Sequence, residues 1–223
     1  MRTEDDIALF LNVRLPSRRC PGKMLRPFAG STLVDICLAK VAALGWPRTH
    51  FGAHEPELLE RARPYPWLRV HRRSEASARS DSDPRLIFEI LGVIETDFVM
   101  WINPCVPLLS VDTLREALAQ FVKSEWTSLT AVRELPGWFY TSDGRPLNDT
   151  RGGIDTMLSA PILQVAHAFH IYDRRRMIET GRPWPNEPDD PHLFVMPGAE
   201  AHDIDTEAEF DIAEYFYRRR HHG

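Results

Sequence analysis

The stretch Arg14-Leu15-Pro16-Ser17-Arg18-Arg19-Cys20-Pro21-Gly22-Lys23 decides the reading of this chain. It follows a short apolar run, Ile7 to Val13, and precedes Ser31-Thr32 and a helix-spaced segment, Leu33 to Leu44, closed by Gly45. Strand, loop, helix is the repeating unit of an α/β sheet. A loop at the carboxyl end of a parallel strand is where such a sheet takes its ligand. Between Ile7 and Val34 stand five positive charges, Arg14, Arg18, Arg19, Lys23 and Arg26, and no carboxylate. The loop therefore suits an anion, phosphates above all. Its spacing, R-x-x-S-x-R-x-P-G-K, is neither the P-loop pattern nor the dinucleotide glycine pattern.

The rest of the chain contrasts with that loop. The 223 residues carry a formal charge of −5, and 43% of them are hydrophobic, an ordinary globular composition for one large domain that needs no covalent staples. Lysine occurs only at Lys23, Lys40 and Lys123 against a background of arginine, so a lysine inside the basic loop stands out. Cys20, Cys37 and Cys105 are odd in number and have no metal-ligand spacing. With no leader-like opening, a reducing, cytoplasmic home is expected. The longest apolar runs, such as Phe98 to Ile102, are far short of the roughly 20 residues that span a bilayer, and mild acidity argues against nucleic acid as a partner.

Outward from the loop, strand and helix signals alternate. Residues 46–83 read as loops around one or two short strands, Leu68 to His71 being the best candidate, and Arg85 to Ile94 has helical spacing. Phe98 to Ile102 reads as a strand buried on both faces, Val111 to Lys123 as an amphipathic helix with Leu114, Ala117, Leu118 and Phe121 on one side, and Ser128 to Arg133 as another strand. Residues 136–165 break the pattern. There Trp138-Phe139-Tyr140 and Ser142-Asp143-Gly144 spell a hairpin with a glycine turn, taken as an insertion and a dimer contact. Val165 to Tyr172 and His192 to Met196 read as strands, Arg174 to Thr180 as a short helix stopped by Gly181, and Thr206-x-x-Glu209 as a capping box opening a terminal helix. The terminal run Arg218 to His222 reads as a solvated tail. The whole is one domain, residues 1–223, with a mainly parallel sheet.

Two further groups carry chemistry. On extended backbone, Asp203 and Asp205 project to one side, so both carboxylates can face a hard cation such as Mg²⁺. Asn103-Pro104-Cys105-Val106-Pro107, at the carboxyl end of a central strand, makes a proline-fixed turn with a polar head at the cleft. Cys105 reads as a packed small hydrophobe rather than a nucleophile.

With these residues in place, the chain resembles the acylneuraminate cytidylyltransferases and, more distantly, the CMP-ketodeoxyoctonate synthetases. The basic loop followed by Phe28-x-Gly30-x-x-Leu33 is similar to that family's opening signature. Asn103 to Leu109 is similar to its Q-P-T-S-P-L-L segment, and Asp203-Ile-Asp205-Thr206-Glu207-x-Glu209-Phe210-x-x-Ala213-Glu214 to its closing D-I-D-T-x-x-D-F-x-x-A-E. The resemblance implies a nucleotide-diphospho-sugar transferase-like three-layer α/β/α fold with a small insertion. It implies CTP as donor, Mg²⁺ as cofactor, CMP transfer to an acidic small-molecule acceptor with release of pyrophosphate, and a homodimer. Carried over, Arg14, Ser17, Arg18, Arg19 and Lys23 would hold CTP, with Arg14 and Lys23 catalytic. Arg73 and Ser82 would line the base side, and Asp203 and Asp205 would bind the metal. Asn103, Phe169, His170 and Tyr172 would line the acceptor pocket. The departures gather there: Asn103 stands for a longer glutamine, Cys105-Val106 for Thr-Ser, Met24 for Asn, and Phe169 for a glycine. An acylneuraminate-type sugar acid is thus the first expectation, a ketodeoxy sugar acid or a small phosphonate the alternative, and a catalytically silent nucleotide-binding homologue the reading from another class.

Overall fold

The structure, a computed structural model, describes residues 2–148, 155 and 158–222. The part of the expected insertion at 149–154 and 156–157 lies outside the described residues. In chain order the elements are β1 (Ile7–Asn12), α1 (Leu33–Leu44), β2 (Thr49–Ala53), α2 (Pro56–Ala62), β3 (Arg69–Arg72), α3 (Glu75–Arg79) and α4 (Pro84–Ile87). A 3-10 turn over Glu89–Val93 leads to β4 (Phe98–Ile102), α5 (Val111–Lys123), β5 (Ser128–Leu135), β6 (Ile162–Asp173), α6 (Arg174–Thr180), β7 (His192–Val195) and α7 (Glu207–His222). The seven strands form one sheet in the order β3-β2-β1-β4-β6-β5-β7. Every pairing is parallel except those of β6, which runs against β4 and β5.

Both faces of the sheet are covered, so the architecture is a three-layer α/β/α sandwich. On one face Leu9, Leu11, Met100, Ile102, Leu129 and Phe169 pack with buried residues of α1, α2, α5 and α7. On the other, a smaller cluster joins Ala8, Phe10, Val99 and Tyr172 to Ile90, Leu91 and Met177. The apolar side of α5 is the one that its spacing foretold: Leu114, Ala117, Leu118 and Phe121 are all buried. Truncating a side chain such as Phe121 to alanine costs about 3–5 kcal/mol. Helix ends follow their side chains. Thr32 accepts from Asp35 N at the start of α1 and Ser110 from Thr113 N at the start of α5. Thr206 and Glu209 exchange the two bonds of a capping box, and Gly45 closes α1 in the left-handed conformation.

Three readings change. Residues 46–83 hold two strands and two helices, not mainly loops, because Pro56 opens α2 at its first turn, where a missing N–H costs nothing. The helix expected over Arg85 to Ile94 stops at Ile87, whose carbonyl is taken by Asn12 Nδ2 at 2.8 Å, Arg73 Nη2 at 3.1 Å and Ser77 Oγ at 3.2 Å; the chain continues as the 3-10 turn. Strand β6 begins at Ile162, inside the expected insertion. The glycine-turn hairpin is present: Leu147 N donates to Phe139 O, Thr141 N to Arg145 O, and Gly144 sits at φ 86°. Among the described residues no helix is long and apolar enough to cross a membrane.

The strand order also fixes where a ligand goes. From β1 the chain winds outward to β2 and β3, then returns to β1's other side at β4. The loops after β1 and β4 thus leave the sheet in opposite directions and open a crevice between them, the topological switch point of an α/β sheet.

Candidate active site

The crevice is a cavity of about 740 Å³ lined by both loops. The loop after β1 is pinned by its apolar members. Cys20, Met24 and Phe28 are buried in the main core, while Ser17 Oγ accepts from Cys20 N and Lys23 N and Arg26 N turn back onto Cys20 O and Gly22 O. Between those anchors Arg14, Ser17, Arg18, Arg19 and Lys23 all line the cavity.

The cations meet carboxylates from distant segments. Asp81 bridges Arg14 Nη2 at 2.8 Å and Arg18 Nη2 at 3.1 Å. Asp205 lies 2.8 Å from Arg19 Nη2 and 3.7 Å from Lys23 Nζ. Lys23 also donates to Ile204 O, and its side chain is only 12% exposed. One lysine thus ties the phosphate-type loop to the aspartate segment.

On the opposite wall, Asn103 N donates to Ala168 O, while its side-chain Nδ2 donates to His167 O at 3.0 Å and to Asp203 Oδ1 at 3.4 Å. Asn103 Oδ1 accepts from Cys105 N, and Ile204 N donates to Cys105 O. The turn after β4 and the Asp203–Asp205 segment are therefore one bonded unit. Burial, reinforced by the neighbouring Asp205 charge, pushes the Asp203 carboxyl up to about 6. Burial pushes the Cys105 thiol up to about 12, which removes it as a nucleophile.

Not every expected residue reaches the cavity. Arg73 is buried and its guanidinium is spent on Val13 O, Ser77 Oγ, Ser77 O and Ile87 O; it braces the loop from below. Ser82 is exposed and outside the lining. Phe169 is fully buried in the large core against Phe194, and Tyr172 in the small one. His170 lies behind the cleft, stacked on Trp101 at 5.4 Å and edge-on to Trp184 at 5.2 Å. Its Nδ1 pairs with Thr130 Oγ1 at 2.7 Å and its Nε2 with His167 Nδ1 at 3.2 Å. Burial, with His167 beside it, lowers its pKa to about 3, so it is neutral. Sequence reasoning missed Asn12, Arg79 and Asp81 in the lining. Asp81 had a signal, since it is a carboxylate beside Ser82, between the two residues expected on the base side.

No protein-family model matches the chain, and no curated protein matches it in sequence. Solved structures do. One is a CMP:2-keto-3-deoxy-manno-octonic acid synthetase complexed with CTP, at 11% identity, TM-score 0.69, covering 96% of this chain and 99% of that one. The chain shares its fold. A 4-diphosphocytidyl-2C-methyl-D-erythritol synthase from Anaerococcus prevotii matches at 10% identity and TM-score 0.65, over 97% and 100%. A cytidylyltransferase from Leptospira borgpetersenii matches at 13% and 0.56, over 94% and 85%. The architecture is the nucleotide-diphospho-sugar transferase-like fold of the cytidylyltransferases.

Proposed function

We propose that this protein is a CTP-dependent cytidylyltransferase that transfers CMP to an acidic acceptor and releases pyrophosphate. The observation that carries it is the meeting, in one cavity at the switch point, of Arg14, Arg18, Arg19 and Lys23 with Asp205, Lys23 joining the two, while Asp203 sits behind Asn103 just outside the lining. The acceptor is a sugar acid of the ketodeoxy or acylneuraminate type. The named likeness to a ketodeoxy sugar acid synthetase supports the first, and the ordered sequence motifs support the second. A small phosphonate is the alternative acceptor.

Arg14, Arg18, Arg19 and Lys23 would take the triphosphate, replacing the carboxylates they now face. An acceptor hydroxyl gives its proton to water and its oxygen attacks the α-phosphorus in line. The bond from that phosphorus to the bridging oxygen breaks, and pyrophosphate leaves. Such chemistry rests on alignment and charge neutralisation, which a lysine spanning both halves provides.

Mg²⁺ fits the residues present. The Asp203 carboxyl is raised by burial first and by the Asp205 charge second, so the two carboxylates lie close enough to feel each other's charge. One or two carboxylates plus substrate phosphates and water are the usual set for Mg²⁺. Bound there, it would neutralise charge on the phosphates.

A homodimer completes the proposal. Tyr140 (54% exposed), Leu147 and Leu158 present apolar surface in the inserted segment, and Leu193 and Val195 do so on the sheet face near β7. Exposed apolar surface of this kind would suit the contact between two copies.

Pyrophosphate release from CTP and Mg²⁺ against ketodeoxy sugar acids, neuraminate-type acids and phosphonates, with ATP, GTP and UTP as donor controls, tests the reading. Turnover with CTP and one acceptor class is the expected result. CTP binding with no turnover across the panel would instead give the silent homologue.

A further inference from the structure

Behind the turn that carries Asn103 lies a set of charges that the proposed chemistry does not use. Lys40, on the buried side of α1, donates from Nζ to Val106 O at 3.2 Å and Pro107 O at 3.4 Å. Arg220, near the end of α7, donates from Nη1 to Leu108 O at 2.9 Å. Glu200, itself buried, accepts from Ser110 N at 2.8 Å, from Thr113 Oγ1 at 2.7 Å and from Arg220 Nη2 at 3.4 Å. With Ile204 N on Cys105 O, the carbonyls of residues 105 through 108 are all held from outside the turn. Two of the three holders are cations drawn from opposite ends of the chain.

Burying charge is costly unless each group is fully used. Burial lowers the Lys40 ammonium to about 8, with Cys37, Glu200 and Arg220 as its charged neighbours. An apolar contact would hold this turn to α1 at less cost, so the charges mark a need for fixed placement. What is placed is specific: the front of the same turn sets Asn103 against Asp203 and ties Cys105 O to the backbone between the two aspartates. Arg220, expected to be part of a solvated tail, is thereby drawn into the fold.

Resting on the cytidylyltransferase reading, we infer that Lys40, Glu200 and Arg220 form a clamp that positions the acceptor-side turn and, through it, the Asp203–Asp205 pair. They touch no substrate; they are positioning residues. The clamp acts chiefly on the acceptor and metal side, because the basic loop, though tied to the aspartate segment through Lys23, has anchors of its own in Cys20, Met24 and Arg73.

The test compares Lys40→Met, Arg220→Met and Lys40→Arg with the unaltered protein, in four readouts: thermal unfolding, CTP binding, turnover, and hydrogen exchange across residues 103–109. For both methionine variants the expected kcat is about 10- to 100-fold lower, as for a small misplacement of reacting groups. CTP affinity stays unchanged, and amide exchange across 103–109 is faster by about tenfold. Lys40→Arg keeps the cation and restores most of the rate. Arg220 is half exposed, so its variant folds even if burial makes Lys40→Met unstable. A methionine variant that lost CTP affinity in step with stability, or that left exchange of 103–109 unchanged, would overturn the clamp. Hydrogen exchange reads the clamp without turnover, so an unaltered protein that released no pyrophosphate would sink the cytidylyltransferase reading while leaving this result to stand or fall on exchange.

Discussion

The two walls of the cavity are built on opposite principles. On the loop wall the groups are charged, from the exposed Arg18 and Arg19 to the half-covered Arg14 and the nearly buried Lys23, and each pairs with a carboxylate from elsewhere: Arg14 and Arg18 with Asp81, Arg19 and Lys23 with Asp205. On the far wall Asn103 is buried in hydrogen bonds to His167 O and Asp203, and behind it the neutral His170 is enclosed by Trp101, Trp184 and Thr130. Exposed ion pairs are worth little and exchange partners readily, whereas buried hydrogen bonds are costly to lose. The first wall is thus poised to trade internal carboxylates for a ligand's phosphates, and the second to hold one shape.

The comparison is broken most directly at Lys23. Lys23→Ala is expected to lower turnover by about 10²- to 10³-fold, the scale of removing one charge-stabilising donor, with stability lower by about 1 kcal/mol for the lost bond to Ile204 O. Pyrophosphate release beside a thermal melt measures both, and a large drop in stability would put Lys23 in the wrong class. On the far wall the effects should be reversed. His170→Phe keeps a ring between the tryptophans but leaves Thr130 Oγ1 without its partner, at a cost of about 1–3 kcal/mol. Chemical denaturation should show that loss, and calorimetric titration should show CTP binding intact. Altered CTP affinity would join the two walls into one.

Asp81 sharpens the contrast by a smaller amount. Asp81→Asn removes the charge that occupies Arg14 and Arg18, so CTP should bind about three- to tenfold tighter, the scale of an exposed ion pair. Weaker binding in a titration would assign Asp81 to the ligand rather than to the loop. The smallest effect is in pH dependence. His50 is buried, its Nδ1 2.9 Å from His71 Nε2, and burial, with the His71 charge next, lowers its pKa to about 4 from 6.5. Between those values the unfolded chain takes up a proton that the folded one refuses, so stability is lost as pH falls from 6.5 to 4. Asp203, raised to about 6 from 3.8, acts in the other direction, its protonated form favoured by folding and its stabilisation lost as pH rises through 6. The difference between the protein and His50→Gln isolates the histidine: the variant's unfolding midpoint should fall less steeply with acid.

Much of this was legible in the residues, for different reasons on the two walls. Arg14 to Lys23 and Asp203-Ile204-Asp205 declare themselves because charge without a packing reason needs another reason. The core strands Ile7 to Val13 and Phe98 to Ile102 are legible as apolar runs, and the helix Val111 to Lys123 from its periodicity. The far wall was not legible, because its geometry turns on an irregularity. His167 takes a positive φ of 50° and the β5–β6 register shifts between Thr130 and Val132, so Ala168 and Phe169 both join the large core. No spacing rule encodes a bulge. Arg73 misleads for a related reason: an arginine near a phosphate loop looks like a ligand until three backbone segments are seen to converge on it.

The bonds from Lys23 to Ile204 and from Arg26 to Glu207 each join residues 181 positions apart. During synthesis at about 5–20 residues per second, the basic loop and the first parallel strands exist for many seconds before any carboxylate from the end of the chain can meet them. The nascent protein at that stage carries a cluster of arginines with no internal partner from that end, open to whatever polyanion lies nearby, the ribosome's own RNA included. Arrival of the last segment gives Arg19, Lys23 and Arg26 their partners Asp205 and Glu207 in a single event.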